Sequence, residues 1–208
     1  GLAHPGFLIT TDLATMTDTV ALSPSLNLLL GRYSVGGKHL RQPAPDDAAL
    51  HLMAEAALRA PDHGGLVPFR FALVRGEVAR ARLADLFEQV ALDAGKAADA
   101  AARDRERALE PPMLVAVIAR IDAGHPVATV HEQWMTVGGA LTNFLNAAHA
   151  MGYAGKMLSG AKVRAAPVVA AFCGPGETLV GWVVLGTPVR AGKPKFDKPG
   201  TDGLISDW

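Results

Sequence analysis

The sequence predicts an α+β fold with three layers, built on about four core strands. Short apolar segments typical of strands are interspersed with longer amphipathic segments typical of helices, and no repeat or linker divides them. Half of the 208 residues are hydrophobic and only 19% are charged, so a large core is available. We therefore expect one domain over residues 25–208, with a flexible leader at 1–24 and a C-terminal tail from about 189.

Two helices are predicted before the first strand. Ser25–Leu30 is a short amphipathic segment that a serine can cap and Gly31 can end. The second helix begins at the Asp46-Asp47 pair and runs to Arg59, with apolar residues at helical spacing. It ends there because Pro61 cannot continue it.

The middle of the chain contains two predicted strands. Residues 68–74 alternate large apolar side chains with others, which predicts a strand, and a helix follows from about 79 to 91. Residues 93–110 are rich in alanine and charge without a clear apolar face, which suggests an exposed helix or lid. The unbroken apolar run Met113–Ile118 is typical of a strand buried on both faces.

The last third begins with the longest periodic segment, Thr129–Met151. Its residues are apolar or small nearly all round, which predicts a helix buried in a core or a subunit interface. Two more short apolar segments, Pro167–Cys173 and Leu179–Leu185, are predicted to be strands. The turn Gly174-Pro175-Gly176 makes them candidate neighbours in the sheet.

Composition excludes several classes of function. Lys+Arg 20 balances Asp+Glu 20, which argues against electrostatic capture of nucleic acid. The single cysteine, Cys173, allows no internal disulfide or cysteine-based zinc cluster and favours a reducing, cytoplasmic location. No apolar run approaches the roughly 18 residues that a membrane span needs. The 7 histidines are scattered, so we expect no metal site.

The glycines and serines exclude three common enzyme classes. No glycine cluster completes a dinucleotide-binding or Walker pattern, so a Rossmann or P-loop enzyme is not expected. The Gly-x-Ser-x-Gly elbow of the α/β-hydrolases is also missing from the sequence.

Three polar clusters remain as candidate binding segments. Arg32-Tyr33-Ser34 offers a cation and a hydroxyl suited to an anionic planar ligand, or is simply a helix end followed by a turn. Residues 59–65, Arg-Ala-Pro-Asp-His-Gly-Gly, present polar side chains on a loop, or form a plain capped turn. Residues 152–160 form a glycine-rich segment directly after the long helix, and their small side chains would allow the backbone to approach a flat ligand closely.

Taken together, these clusters resemble the FMN-dependent nitroreductase family, and most closely its small single-domain bacterial subgroup. Pro68-Phe69-Arg70-Phe71 and the segment Gly181–Pro188 add to the resemblance, which runs from about Asn27 to Pro188. It implies an intertwined α+β homodimer, in which helices flank a central, mostly antiparallel sheet. Two FMN molecules would lie at the subunit interface, each touched by both chains.

The resemblance also implies a set of cofactor-binding residues. The flavin would be held by Arg32, Tyr33 and Ser34 and reached from the partner subunit by Arg59 and His63, with Pro61 also among the binding residues. The loop after the long helix, Met157, Leu158 and Ser159, would line the ring and the phosphate. Relatives often carry a second arginine at the position of Tyr33 and Trp-Arg at the positions of Met157-Leu158. Candidates for the missing cations are Lys156, Arg190, Lys193 and Lys195. Lys193 is included among the expected binding residues, and which of the four reaches the phosphate stays open.

The implied activity is an oxidoreduction in two half-reactions. NAD(P)H reduces the flavin and leaves, and a nitroaromatic or quinone-like acceptor then takes the electrons. Because the flavin carries the chemistry, no side chain is expected to be catalytic. Two alternatives stay open: a flavin-binding protein for storage, sensing or an unusual flavin reaction with little NAD(P)H turnover, and a non-enzymatic helical dimerisation module.

Overall fold

The computed structural model describes residues 23–190 and 198–208 of the chain. The expected leader therefore lies almost entirely outside the described residues. The chain divides into two units after Gly31. In the described part of the first unit, helix α1 (Pro24–Gly31) confirms the predicted first helix. Its amino end is capped by Ser23, whose Oγ accepts a hydrogen bond from Leu26 N at 3.2 Å.

The second unit, Arg32–Trp208, contains the sheet and the remaining helices. The strands in its described residues are β1 (Leu40–Arg41), β2 (Phe69–Val74), β3 (Met113–Arg120), β4 (Ala154–Leu158) and β5 (Glu177–Pro188). The helices there are α2 (Asp47–Ala57), α3 (Glu77–Asp93), α4 (Ala98–Leu109), α5 (Val130–Ala150) and α6 (Ala166–Phe172). Short 3-10 turns cover Gly37–His39 and Ala161–Arg164.

The sheet is antiparallel at every pairing of the described strands, in the order β1-β5-β3-β2. Strand β4 also pairs with β5, along Trp182–Gly186, on the edge away from β3. The longest strand is therefore bonded along both edges. The predicted antiparallel sheet is confirmed, with five strands among the described residues where about four were expected.

Helices cover both faces of the sheet, as predicted. Along β3, Met113, Val115 and Val117 face a core formed with α2 and α5, which we call the α5 side. The alternate residues, Leu114 and Ala116 among them, face a second core formed with α3, α4 and α6, the α3 side. Since successive side chains of a strand point to opposite faces, the unbroken apolar run of β3 supplies both cores.

Two expectations about local structure are wrong. Residues 166–172 form helix α6 instead of a strand, with Pro167 in the first turn, where its missing N–H costs no hydrogen bond. The turn at 174–176 therefore joins a helix to β5 and makes no hairpin. A short apolar run fits both a strand and a one-sided helix, and only Val168 of α6 is fully buried.

Helix α4 corresponds to the segment expected as an exposed helix or lid. It packs along α3 and buries Ala101, Asp104 and Ala108. Asp104 accepts hydrogen bonds from Lys96 Nζ at 2.7 Å and Lys162 Nζ at 2.8 Å, which ties α4 to the segment after β4. Among the described residues, no helix is long and apolar enough to cross a membrane.

Gly181 is the position in β5 where a side chain would do most damage. Its φ is +154°, and a Cβ there would lie 2.2 Å from Leu158 O of β4. We expect Gly181→Ala to lower the free energy of unfolding by about 1–3 kcal/mol, because β4 would have to move. Gly36→Ala is the matched control, since its φ is −74° and nothing lies within 4 Å of the added carbon. Urea denaturation of both variants checks this, and equal stability would contradict it.

Candidate functional site

The segment Arg32–Ser34 lies beside strand β4. Val35 N, directly after it, donates a hydrogen bond to Gly155 O at 3.0 Å, and the Val35 side chain is buried. Tyr33 packs against the α3-side core, whereas Ser34 is exposed. Arg32 is half-buried, and its guanidinium forms no hydrogen bond or ion pair with any described residue.

Strand β4 carries two of the three residues that were expected on a loop. Met157 and Leu158 are paired with Val183 and Trp182 of β5, and only Ser159 follows the strand. Met157 packs against the α5-side core, while Leu158 is 38% exposed. The end of β4 therefore presents apolar surface, on the strand to which the Arg32–Ser34 segment is joined by the Val35–Gly155 hydrogen bond.

The loop Arg59–Gly65, which we call the His63 loop, is attached to the first half of α5. Thr136 Oγ1 donates a hydrogen bond to Pro61 O at 2.8 Å. A Cβ at Gly139 would lie 3.1 Å from the Ala60 Cβ, so this glycine allows the loop to approach the helix closely. Both Arg59 and Pro61 are exposed, and Arg59 has no ion pair with a described residue.

His63 contacts a residue that we did not predict, Glu132. His63 Nδ1 lies 3.0 Å from Glu132 Oε1. Glu132 also completes a capping box with Thr129 at the start of α5: its Oε2 accepts from Thr129 N and Thr129 Oγ1, each at 2.7 Å. The Thr-x-x-Glu spacing before an apolar helix was the available signal for this residue's structural role.

These contacts lower the pKa of the Glu132 carboxyl to about 2, from 4.5. The main cause is the hydrogen bond from the Thr129 backbone, followed by those from the Thr129 hydroxyl and from His63. All three favour the ionised form. The start of α5 therefore holds a carboxylate at the edge of the His63 loop.

One protomer does not bring all the predicted residues together. The His63 loop contacts α5 at Glu132, Thr136 and Gly139, near its beginning. Strand β4 lies near its end, where a Cβ at Gly155 would be 3.5 Å from Leu145 Cδ2. At 1.5 Å per residue, Leu145 lies about 20 Å along the helix from Glu132, which contacts His63, and about 9 Å from Gly139, which contacts Ala60. Lys193 lies outside the described residues.

The residues beside β4 fit a planar anionic cofactor. Arg32 and Lys156 are cations without an ion pair to a described residue, and Ser34 supplies an exposed hydroxyl. Unpaired cations next to exposed apolar surface suit a phosphate joined to an aromatic ring.

Within the described ranges, no group of His, Cys, Asp or Glu could hold a metal ion.

A second ionic cluster lies away from β4, around Glu177. Arg70 binds this carboxylate through two nitrogens, at 2.7 and 2.5 Å, and Arg120 Nε lies 2.9 Å from it. These bonds, with one from Gly174 N, hold the pKa of Glu177 well below its usual range. Arg70 also donates to Phe172 O, so the cluster connects β2, β3, β5 and the end of α6.

The lowered pKa of Glu132 gives a pH-dependent contribution to stability. Because folding lowers the pKa, this contribution is complete above about 4.5 and is lost as the pH falls towards 2. We expect the difference in melting temperature between wild type and Glu132→Gln to be largest near neutral pH and to shrink below 4.5. Glu106→Gln, a change of one exposed carboxyl on α4, is the control. A difference that stays constant down to pH 3 would contradict the assignment.

Three comparisons with known proteins identify the family and the fold of this chain. The sequence profile described as "Nitroreductase family" matches residues 29–187. The Escherichia coli (strain K12) protein named "Putative NAD(P)H nitroreductase YdjA" is 34% identical over 176 residues, which cover 84% of this chain and 94% of that protein.

Solved structures share the fold at lower identity. A nitroreductase-like family protein from Bacillus cereus has a TM-score of 0.74 and 19% identity, over 91% of this chain and 98% of its own. A nitroreductase with bound FMN from Desulfitobacterium hafniense DCB-2 has a TM-score of 0.65 and 18% identity, over 90% of this chain and 100% of its own. The architecture and the family match together show that this chain belongs to the Nitroreductase family.

Proposed function

We propose that this protein is an FMN-dependent oxidoreductase that uses NAD(P)H to reduce nitroaromatic or quinone-like acceptors. Family membership, an E. coli relative named as an NAD(P)H nitroreductase and a structural neighbour with bound FMN support this assignment. The observation that carries it is the unpaired Arg32 guanidinium, two residues before Ser34 in a segment bonded to β4 through Val35, together with the exposed apolar end of that strand.

Arg32 and Ser34 would bind the FMN phosphate. A guanidinium can bind a phosphate through two parallel hydrogen bonds, and the Ser34 hydroxyl can add a third. Lys156 lies on β4, is exposed and has no ion pair with a described residue, so it is well placed to replace a missing arginine. Lys193 and Arg190 are the tail candidates for the same role.

Met157 and Leu158 would contact the isoalloxazine ring, with Ser159 at the edge. Bound FMN supplies the hydride and electron chemistry, so the side chains need only bind and orient the ring and exclude water. His63, Arg59 and Pro61 would approach the ring from a second protein copy. No described side chain is needed as a nucleophile or a general acid.

The distance along α5 supports a homodimer. On one protomer, the position of α5 that contacts His63 lies about 20 Å along the helix from the position near β4, so one copy would supply the Arg32 segment and the other the His63 loop. Helices α2 and α5 pack together, and both expose large apolar side chains. These are Leu52 on α2, Leu58 directly after it, and Val130, Trp134 and Met135 on α5. Such a surface is expected to be covered in an oligomer.

The single, half-buried Cys173 fits a reducing compartment such as the cytoplasm.

A charge on the apolar surface tests the dimer. Met135 is 72% exposed on α5, and we expect Met135→Glu to shift the protein towards monomer and to reduce bound FMN, because burying the charge is costly. Val78→Glu, at a side chain 85% exposed on α3, is the matched control. Light scattering after size-exclusion chromatography measures the mass. A wild-type monomer that retains FMN would refute the dimeric site.

Cofactor content tests the activity. We expect the purified protein to be yellow and to be bleached by NAD(P)H in the absence of oxygen. Arg32→Ala should weaken FMN binding about 10- to 100-fold, since it removes a charge-assisted contact. Arg82→Ala, which removes an exposed arginine without an ion pair on α3, is the control.

Two other outcomes would change the assignment. Bound FMN that NAD(P)H does not reduce would indicate a storage or sensing flavoprotein. A colourless protein that binds no added FMN would rule out the flavoenzyme and leave the helical dimerisation module.

A further inference from the structure

We propose that Glu132 is a positioning residue that fixes the His63 imidazole, with Nδ1 towards α5 and Nε2 towards the cofactor. The inference rests on the proposed function, in which His63 contacts FMN. It goes beyond that function by assigning a role to a residue that need not touch the cofactor itself.

The Glu132 carboxylate is held at both oxygens. Oε2 accepts two hydrogen bonds from Thr129, at the start of α5, and Oε1 faces His63 Nδ1 at 3.0 Å. An ionised carboxylate can only accept hydrogen bonds, so Nδ1 must carry a proton. The orientation of the carboxylate is therefore set by the helix cap, and the carboxylate in turn selects which nitrogen of the ring is protonated.

The ring needs this support because little else holds it. The His63 side chain is 53% exposed, and Nε2 makes no hydrogen bond to any described residue. In a neutral ring with a proton on Nδ1, Nε2 is an acceptor; in a protonated ring it is a donor, with Glu132 balancing the charge. In both states Nε2 is the atom left for a ligand.

The loop backbone is held by other residues. Thr136 Oγ1 bonds Pro61 O at 2.8 Å, Asp62 Oδ2 accepts from Val67 N at 2.7 Å, and Gly65 N donates to Asp62 O at 3.0 Å. A change at Glu132 is therefore expected to reorient the ring and leave the loop in place. This separates a positioning role from a general effect on folding.

Glu132→Gln is the most informative variant. Glutamine is accepted at the third position of a capping box, so α5 can still begin at the same residue. Its amide can donate as well as accept, so it no longer selects one ring nitrogen. Long-range ¹H–¹⁵N spectra of the histidine side chains at about pH 8.5 report the tautomer directly, in FMN-free and FMN-bound protein.

We expect the Nδ1–H form of His63 in wild type and a mixture of tautomers in Glu132→Gln. The FMN dissociation constant should rise about fivefold, in line with one hydrogen bond. In a His63→Gln background, Glu132→Gln should have no further effect on FMN binding, because the carboxylate acts through the imidazole. Glu106→Gln, on α4, should change neither readout.

Three outcomes would overturn the positioning role of Glu132 or the function on which it rests. An unchanged tautomer in Glu132→Gln, in a protein that binds FMN, overturns the positioning role alone. Additive losses of FMN affinity in the double variant also overturn it, because they show an effect that bypasses His63. If wild type binds no FMN, the proposed function fails and the role towards the cofactor fails with it.

Discussion

The pairing of β5 along both of its edges is the constraint on which the rest of the structure depends. One edge bonds β3, which supplies apolar side chains to both cores, and the other bonds β4. Gly181 permits the close approach of β4, and β4 in turn holds the Arg32–Ser34 segment through the Val35–Gly155 hydrogen bond. The candidate cofactor site is therefore positioned by backbone pairing more than by side-chain contacts.

Helix α5 organises the other half of the candidate site. Its first turns hold the His63 loop through Thr136, Gly139 and Glu132, and its last turns pack near β4. The helix is long and rich in small residues, so loops and strands can approach it on several sides. This gives one rigid element control over two groups of polar residues that would act in different active sites of a homodimer.

Elements with a strong local pattern could be predicted from the sequence. The unbroken apolar run of β3, the proline-terminated α2 and the long periodic α5 were all recognisable from local sequence. Residues 166–172 and 154–158 were not: the first fits a strand or a helix, and the glycines around the second suggested a loop. Only pairing with β5 makes 154–158 a strand. For the site, the separation of the two groups along α5 depends on tertiary packing, which no local pattern reports.

The capping box of α5 links helix stability to the geometry of the candidate site. The same carboxylate stabilises the first turn of the helix and bonds the His63 ring, so fraying of that one turn would release both. Helix ends open more readily than the body of a fold. Warming would then loosen the imidazole below the temperature at which the sheet unfolds, so the orientation of His63, unlike that of the Arg32–Ser34 segment, would depend on one helical turn.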